Sequence, residues 1–331
     1  DAFYPNDGTI WHVPFPSGTE TVLTDESLSY SFRSLSAASN GRIAILQTRM
    51  DPQIRVSVDG DLTRSELILS GSRMRQEGMH GLAWAPDGKV VFAAIANGSR
   101  TIWELDHETR SQKQLTPFQK DSSDAQVSVT ADNRFIVFDS NRSGGSEIWR
   151  ANRDGSDLIP LTRGGGNFQP TLSPDGLWVI YVSEQEGRFG LRRVSIEGGE
   201  PIEITSDKSY WPAVSPDGKF IAFAHGGPNA DPNRDILVIP FDGGEPVNRF
   251  RVTAGALLYN RLQWSPDSKT VVYKNEFQGL WSQSLANSAP IAMPSSADQR
   301  VIHFAYSRDG KLLTSGGLQM REIVILERSM D

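Results

Sequence analysis

The chain contains no cysteine, which excludes disulfide bonds, thiolate nucleophiles and cysteine-ligated zinc. It also lacks any apolar run near the ~18 residues that a membrane-spanning helix needs. A formal net charge of -7 argues against binding to nucleic acid or to an anionic membrane surface. With 38% hydrophobic and 22% charged residues, the composition is typical of a soluble globular protein. No signal peptide is visible and the first residue is Asp1, so we expect a fragment of a longer protein or a processed chain.

Motifs of the common catalytic sites are missing as well. The sequence has no His-Arg-Asp or Asp-Phe-Gly of a protein kinase and no Gly-x-Ser-x-Gly of a serine hydrolase. The five histidines are scattered, with no pair at metal-ligand spacing, and they are His12, His80, His107, His225 and His303. We therefore predict that this chain on its own has no catalytic residues, binds no cofactor and holds no metal.

Two short segments deserve a second interpretation. The Gly-rich RGGGN at Arg163 resembles a phosphate-binding loop, but no helix follows it, so we interpret it as a turn. The segment DPNRD, from Asp231 to Asp235, alternates carboxylates with other oxygen-bearing residues, as calcium loops do. It lacks the central glycine and terminal glutamate of the common calcium loop, and we predict no calcium site there.

What the sequence does contain is a recurring turn. In AVSPDGKFIAF, Ala213 to Phe223, two short apolar runs flank Ser-Pro-Asp-Gly. Pro216 fixes φ for the second position of a turn, and Gly218 tolerates the positive φ at which the chain reverses. The Asp217 side chain can bond nearby backbone N–H groups. The segment therefore predicts a β-hairpin in which Asp217 is a turn residue rather than a catalytic one.

Versions of this hairpin recur every 42 to 50 residues. The marker aspartates are Asp87, Asp132, Asp175, Asp217, Asp267 and Asp309, and a worn copy, SAASNGRIAIL, begins at Ser36. A third apolar run follows each hairpin, as in TIWEL and EIWRA, and a fourth often ends in Leu-Thr or Ile-Thr. Four strands at a period in the low forties predict a β-propeller blade.

Counting these copies predicts an all-β, seven-bladed propeller of four-stranded antiparallel blades that forms one domain, residues 1–331. Six repeats are complete, and the seventh begins at Val301 and supplies only three strands. We expect the last blade to be composite, with residues 301–328 completed by about 9–24, so that N- and C-terminal strands pair and close the ring. EIVIL and TIWHV both look like its third strand, and the sequence leaves open which one is displaced.

The repeats resemble the TolB-like propeller family, whose mark is the Ser-Pro-Asp-Gly-Lys turn followed by an Ile-Trp strand and a Leu-Thr ending. Segments such as IWHVPFPSGTETVLT and DSNRSGGSEIWRANRDGSDLIPLT look more closely like the C-terminal propeller of bacterial membrane-anchored serine/threonine protein kinases. That resemblance implies a non-catalytic sensory or protein-interaction module of a signalling protein, on the extracytoplasmic side of the membrane, although a cytoplasmic location stays open. We expect a monomer that does not itself insert into a membrane.

An enzymatic alternative remains open. Some propellers of similar fold are metal-dependent lyases or hydrolases that work at the channel mouth, and others gate prolyl-oligopeptidase-type peptidases. The first alternative requires a metal in this chain, and the second requires a hydrolase domain outside it.

The blade phase also predicts where a ligand binds. First strands line the central channel of a propeller, and the residue six or seven positions before each marker should lie at the channel mouth. These residues are Arg33, His80, Gln126, Gln169, Trp211, Arg261 and His303. The set is polar, with two arginines and a tryptophan, and it predicts binding of a protein, a peptide or a small anionic ligand at this face.

Overall fold

The computed structural model describes residues 2–6, 9–13, 19, 21–22, 35–38, 42–72, 74–206, 208–226, 235–252, 262–275, 279–286, 289–295 and 299–326. The chain divides into two compact units. The first unit consists of Asp1–Asp51 with Leu318–Asp331, and the second of Pro52–Gly317.

The Ser-Pro-Asp-Gly turn adopts the conformation that its residues favour. In AVSPDGKFIAF, the Ser215 hydroxyl donates to Asp217 Oδ1 at 2.7 Å and accepts from the Phe220 N–H at 2.9 Å. The same Asp217 oxygen accepts from the Lys219 N–H at 3.2 Å, and Gly218 adopts a φ of +73°. The hydrogen bond from Ser215, followed by the contacts with Lys219, holds the pKa of Asp217 below its ordinary value, although desolvation opposes that shift. Asp217 is thus a turn residue, as predicted.

Five blades of the second unit are antiparallel sheets of four strands that follow one another in sequence. Blade 1 consists of Leu82–Trp84, Val90–Ala96, Ser99–Asp106 and Ser111–Gln114. Blade 2 consists of Asp124–Val129, Phe135–Ser140, Glu147–Asn152 and Ile159–Pro160. Blade 3 consists of Asn167–Leu172, Trp178–Gln185, Arg188–Ser195 and Ile202–Glu203. Blade 4 consists of Ser209–Val214, Phe220–His225, Asp235–Pro240 and Asn248–Arg251. Blade 5 consists of Gln263–Trp264, Thr270–Asn275, Gly279–Ser284 and Ile291–Ala292.

Blade 6 combines strands from distant parts of the chain. Its first strand is Gln299–Tyr306, and its second is the beginning of Leu312–Leu326. Its third strand is the end of Ile43–Ser57, and its fourth is Glu66–Ser70. A short 3-10 helix, Leu62–Arg64, lies between the third and fourth strands.

The described residues therefore form six blades, and the prediction of seven is wrong. The segment at Ser36 does form a hairpin, but this hairpin does not begin a four-stranded blade of its own. Residues 53–57 and 66–70, which pair with each other, instead supply the third and fourth strands of the last blade. Local strand signals are the same in both arrangements, so the sequence pattern alone does not show which strands pair.

Six hydrophobic clusters of described residues join the blades in a closed cycle. The cluster between blades 6 and 1 packs Ile54 and Leu313 against Leu82 and Phe92, all fully buried. The first strands of these two blades are also in contact. The ring is thus closed between blades 6 and 1.

The Leu-Thr ending of a blade fixes the start of the next blade. The Thr116 hydroxyl accepts from the Ile102 N–H at 2.9 Å and donates to Asp124 Oδ2 at 2.6 Å. Thr205 repeats the pattern, accepting from the Leu191 N–H and donating to the Ser209 hydroxyl. Each threonine therefore connects its own third strand to the first strand of the following blade.

The first unit contains a separate three-stranded antiparallel sheet of Ala2–Asn6, Thr9–Val13 and Thr21–Val22. The strands expected in about 9–24 thus exist, but they pair with each other and with Ala2–Asn6. The strand Leu35–Ala37 pairs with the beginning of Ile43–Ser57. In the part of the chain that the structure describes, no helix is long and apolar enough to cross a membrane.

Candidate functional site at the channel mouth

Three of the residues predicted at the channel mouth occupy β-bulges. Gln126, Gln169 and Trp211 lie near the start of the first strands of blades 2, 3 and 4, and the strand register shifts at each one. Their φ angles are +52°, +57° and +54°. This conformation is costly for residues with a side chain, on the order of 1–3 kcal/mol each, and is retained where the surrounding structure requires it. Bulges are common at the rims of closed sheets and beside functional sites.

The N–H groups of these three residues are bonded to the preceding blade. Gln126 donates to the His80 carbonyl at 2.8 Å. Gln169 donates to Asp139 Oδ2 at 2.9 Å, and Trp211 donates to the Gln169 side-chain oxygen at 2.8 Å. The mouth is therefore a hydrogen-bonded rim that runs from blade 1 to blade 4.

The part of the floor that the described residues form is closely packed. Gln126, Gln169 and Trp211 line a common cavity with Gln263, but its volume is only about 10 Å³. That is about the space of one water molecule. Among the described residues, this cavity has no room for a ligand larger than water.

His80 lies on the loop that leads into blade 1, with Nε2 2.9 Å from Gln76 Oε1. Burial, followed by the positive charge of Arg100, lowers the pKa of His80 to about 4. The imidazole is consequently neutral at pH 7, and it does not supply a positive charge to an anionic ligand at that pH.

His80 and His303 do not line this cavity. His303 lies in the first strand of blade 6, as the blade phase requires, but only 2% of it is exposed. Arg33 and Arg261 fall outside the described residues. The role of the seven residues in ligand binding stays a prediction.

The structure adds charged groups that the blade phase did not select. Arg100, at the start of the third strand of blade 1, donates through Nη1 to the Ser123 hydroxyl at 2.7 Å. Burial lowers the pKa of Arg100, while the charges of Asp139 and Asp124 oppose that shift. Asp124 accepts from Arg142 Nε at 3.0 Å, and both side chains are at least 96% buried. Arg100 lies in a third strand, whereas counting back from the marker aspartates reaches only the start of each blade, so the count does not select Arg100.

The fold and the repeat have counterparts among known proteins. A sequence profile described as the TolB beta propeller domain matches residues 73–245, which is more than half of the chain. The chain belongs to the TolB β-propeller family. The resemblance noted in the sequence is thereby confirmed for the propeller, and the likeness to kinase C-terminal domains stays a prediction.

A curated relative of this TolB propeller is an uncharacterized protein of Agrobacterium fabrum. The two are 28% identical over 204 residues, which are 60% of this chain and 54% of the relative. The chain thus spans about half the length of the curated relative it matches.

Solved structures share the fold. TolB from Acinetobacter baumannii matches with a TM-score of 0.52 and 21% identity, over 74% of this chain and 59% of that one. A putative TolB from Agrobacterium tumefaciens matches with a TM-score of 0.59 and 16% identity, over 82% and 99%. Oligogalacturonate lyase in complex with manganese matches with a TM-score of 0.50 and 18% identity, over 85% and 76%. At these identities the likeness concerns the fold alone.

The Gly-rich turn has another role in this TolB propeller, and most of the DPNRD segment lies outside the described residues. In the Gly-rich turn, the Gly165 N–H donates to Glu147 Oε1 at 2.6 Å, so a carboxylate already occupies the place of a phosphate. Residues 231–234 of DPNRD lie outside the described part, and Asp235 is buried beside Arg249 and Arg251. The described residues contain no group of three or more side chains of the His, Cys, Asp or Glu type placed to hold a metal.

Proposed function

We propose that this TolB propeller is a non-catalytic interaction module that binds a protein or an extended peptide across the channel mouth. The observation that supports this most directly is the closed floor between Gln126, Gln169 and Trp211. Enzymes and small-molecule receptors usually bind ligands in cavities of about 300–1,000 Å³. A floor with space for one water suits a partner that lies on the rim.

Exposed apolar side chains beside the rim support the same proposal. Met74, on the loop leading into blade 1, is 79% exposed, and Phe118, on the loop leading into blade 2, is 48% exposed. Arg75 stacks over the Trp103 ring with its guanidinium carbon 4.5 Å from the ring centroid, which holds the first loop in place. Methionine and aromatic residues are enriched at protein interfaces.

The proposal extends to the parent protein. We infer that the propeller serves as the interaction or sensory part of a longer bacterial signalling chain, such as a membrane-anchored serine/threonine kinase. The support is the ordered set of segments that resemble such kinases, from IWHVPFPSGTETVLT onward. An enzymatic role at the mouth, as in a lyase or a peptidase gate, is favoured by no residue arrangement described above.

Site-specific photo-cross-linking in the producing bacterium tests the proposed function. A photoreactive residue would replace Met74 or Phe118 at the mouth, or Ile202 or Ile291 on outer strands as matched controls, since all four are exposed apolar positions. We expect a discrete cross-linked protein from the mouth positions alone. Cross-links of equal yield from the outer positions, or none from the mouth, would contradict the proposal.

A further inference from the structure

A larger cavity lies at the opposite end of the same first strands, where the turns to the second strands gather. Its volume is about 690 Å³, within the range of ligand-binding pockets. Apolar side chains of blades 6, 1, 2 and 3 line it, and they are Val56, Ile68, Trp84, Val129, Leu172 and Tyr306. This turn-end cavity is separate from the channel mouth and is not used by the proposed function.

The cavity is open because blade 6 is built differently from the other blades. The connection between its third and fourth strands leans toward blade 5, where the Leu62 N–H donates to the Pro294 carbonyl at 2.9 Å. Leu62 is buried against Val272 and Leu280 of blade 5. The side toward blade 1 is consequently left uncovered, and Val58, which lines the cavity, is 74% exposed.

A lone positive charge lies at the axial end of this cavity. Arg308 stands at the turn position that proline occupies in blades 1, 3, 4 and 5. Its Nη2 donates to the Ala131 carbonyl of blade 2 at 3.2 Å, so the side chain crosses this end of the channel in front of blade 1. The neighbouring Lys311 and Asp309 pair with each other at 3.1 Å. Within the described residues Arg308 has no acidic partner, and its side chain is exposed.

Two carboxylates lie at the outer end of the cavity. Glu66 begins the fourth strand of blade 6, and Glu108 lies in the turn between the third and fourth strands of blade 1. Both are exposed, and neither has a basic partner in the described part of the chain. Since neighbouring strands are about 4.8 Å apart, the fourth strand lies roughly 10–15 Å from the turn that carries Arg308.

We propose that the turn-end cavity binds the C-terminal segment of a partner protein in extended form. The terminal carboxylate meets the Arg308 guanidinium, whose planar fork suits bidentate binding of a carboxylate. Apolar side chains of the segment pack on Trp84 and Ile68, and a basic side chain reaches Glu66 and Glu108. At about 3.3 Å per residue, 10–15 Å from the turn corresponds to a basic residue at least three or four positions before the C-terminus, because the guanidinium reaches beyond its own turn toward blade 2. Because Arg308 lies at one end of the cavity and Glu66 and Glu108 at the other, the cavity suits a charged peptide end better than a neutral apolar ligand.

Selection from a library of random heptapeptides with free C-terminal carboxylates tests the proposal on the whole chain. We expect enriched peptides to end in apolar residues and to carry Lys or Arg at least three or four positions before the end. Affinity, measured by fluorescence polarisation, should fall about tenfold or more when the peptide is amidated, which is the scale of one charge-assisted hydrogen bond.

The decisive variant is Arg308→Pro, which restores the turn residue of the other blades and so preserves the turn. Arg308→Pro should weaken peptide binding about as much as amidation of the peptide does, and it should leave the melting temperature unchanged. Arg188→Ala is the control, because Arg188 is exposed at the other end of the strands, and it should not change binding. If the Arg308→Pro protein and the unmodified chain enrich the same peptides equally, the proposal is overturned. Binding lost on Gln169→Ala but retained on Arg308→Pro would also overturn it, and would favour the channel mouth instead.

Discussion

The Arg308 guanidinium donates to the main-chain oxygen of Ala131, 3.2 Å away, although 177 positions separate the two residues. Arg308 and Ala131 occupy the same position in the turns of blades 6 and 2, where the other described blades have proline. The two departures from the repeat are therefore in direct contact across blade 1. A small side chain at Ala131 leaves its carbonyl accessible to the long side chain of Arg308.

The closure of a six-bladed ring predicts the effect of Ile54→Ala. Ile54 is fully buried in the cluster between blades 6 and 1, so its truncation should lower the free energy of unfolding by about 2–5 kcal/mol. Chemical denaturation measures this loss. Ile291→Ala, at a 65% exposed position, is the control and should change stability by less than about 0.5 kcal/mol. Equal effects of the two substitutions would argue against the composite blade.

The bond from Thr116 to Asp124 predicts a cost for Thr116→Val, which removes the hydroxyl and retains the shape. The Ile102 N–H would lose its acceptor, and Asp124 would lose one donor in a buried site. An unsatisfied buried polar group costs about 1–3 kcal/mol, which thermal unfolding should detect. Thr109→Val, in an exposed turn, serves as the control, and a Thr116→Val protein as stable as this control would show that the network is dispensable.

Ser215 and Ala85 hold equivalent turn positions in blades 4 and 1, and opposite substitutions should have opposite effects. Ser215→Ala removes the acceptor of the Phe220 N–H and the donor to Asp217, so we expect a loss of about 1–2 kcal/mol. Ala85→Ser adds the hydroxyl beside Asp87 and should leave stability equal or higher. Urea denaturation of both variants measures the difference. If Ala85→Ser lowers stability and Ser215→Ala leaves it unchanged, the hydroxyl does not stabilise the turn and the prediction is wrong.

The environment of His80 predicts a pH dependence between its ordinary pKa of 6.5 and its folded value of about 4. In this interval the unfolded chain binds a proton and the folded protein does not, so stability falls as the pH is lowered. His80→Gln should remove this part of the dependence, and His107→Gln should retain it. Melting temperatures measured from pH 7 to pH 4 test the prediction, which fails if the His80→Gln curve follows that of the unmodified chain.

The sequence predicts the blade more reliably than the ring. The turn at Asp217 and the Leu-Thr endings follow from local chemistry, because a proline, a short polar side chain and a glycine determine their own backbone geometry. The choice of partner strands in blade 6 depends on pairing between residues about 250 positions apart, and both candidate segments have strand composition. A count of repeats therefore gives seven blades, whereas the described residues form six.

For the candidate site too, the sequence predicts positions along the repeat but not the contacts between blades. Counting back from the marker aspartates brings Gln126, Gln169 and Trp211 to one cavity, because equivalent positions of a repeat become neighbours in a ring. The count does not predict that Gln169 uses its side chain to bind Trp211, or that Arg100 lies beside His80. Those contacts depend on side-chain positions in adjacent blades, which the repeat pattern does not encode.

The composite sixth blade also determines the order of events during protein synthesis. The strand ending at Ser57 leaves the ribosome roughly 250 residues before the strand that begins at Leu312, a delay of about 12–50 s at 5–20 residues per second. During this time the growing chain presents an unpaired strand edge. Arg55 donates through Nε to the Ser65 hydroxyl at 2.9 Å and through Nη2 to the Ser65 carbonyl at 2.6 Å, which holds the third and fourth strands together as a hairpin. The nascent protein thus has a preformed acceptor for its last-made strands, and premature release from the ribosome would leave that acceptor open to other chains.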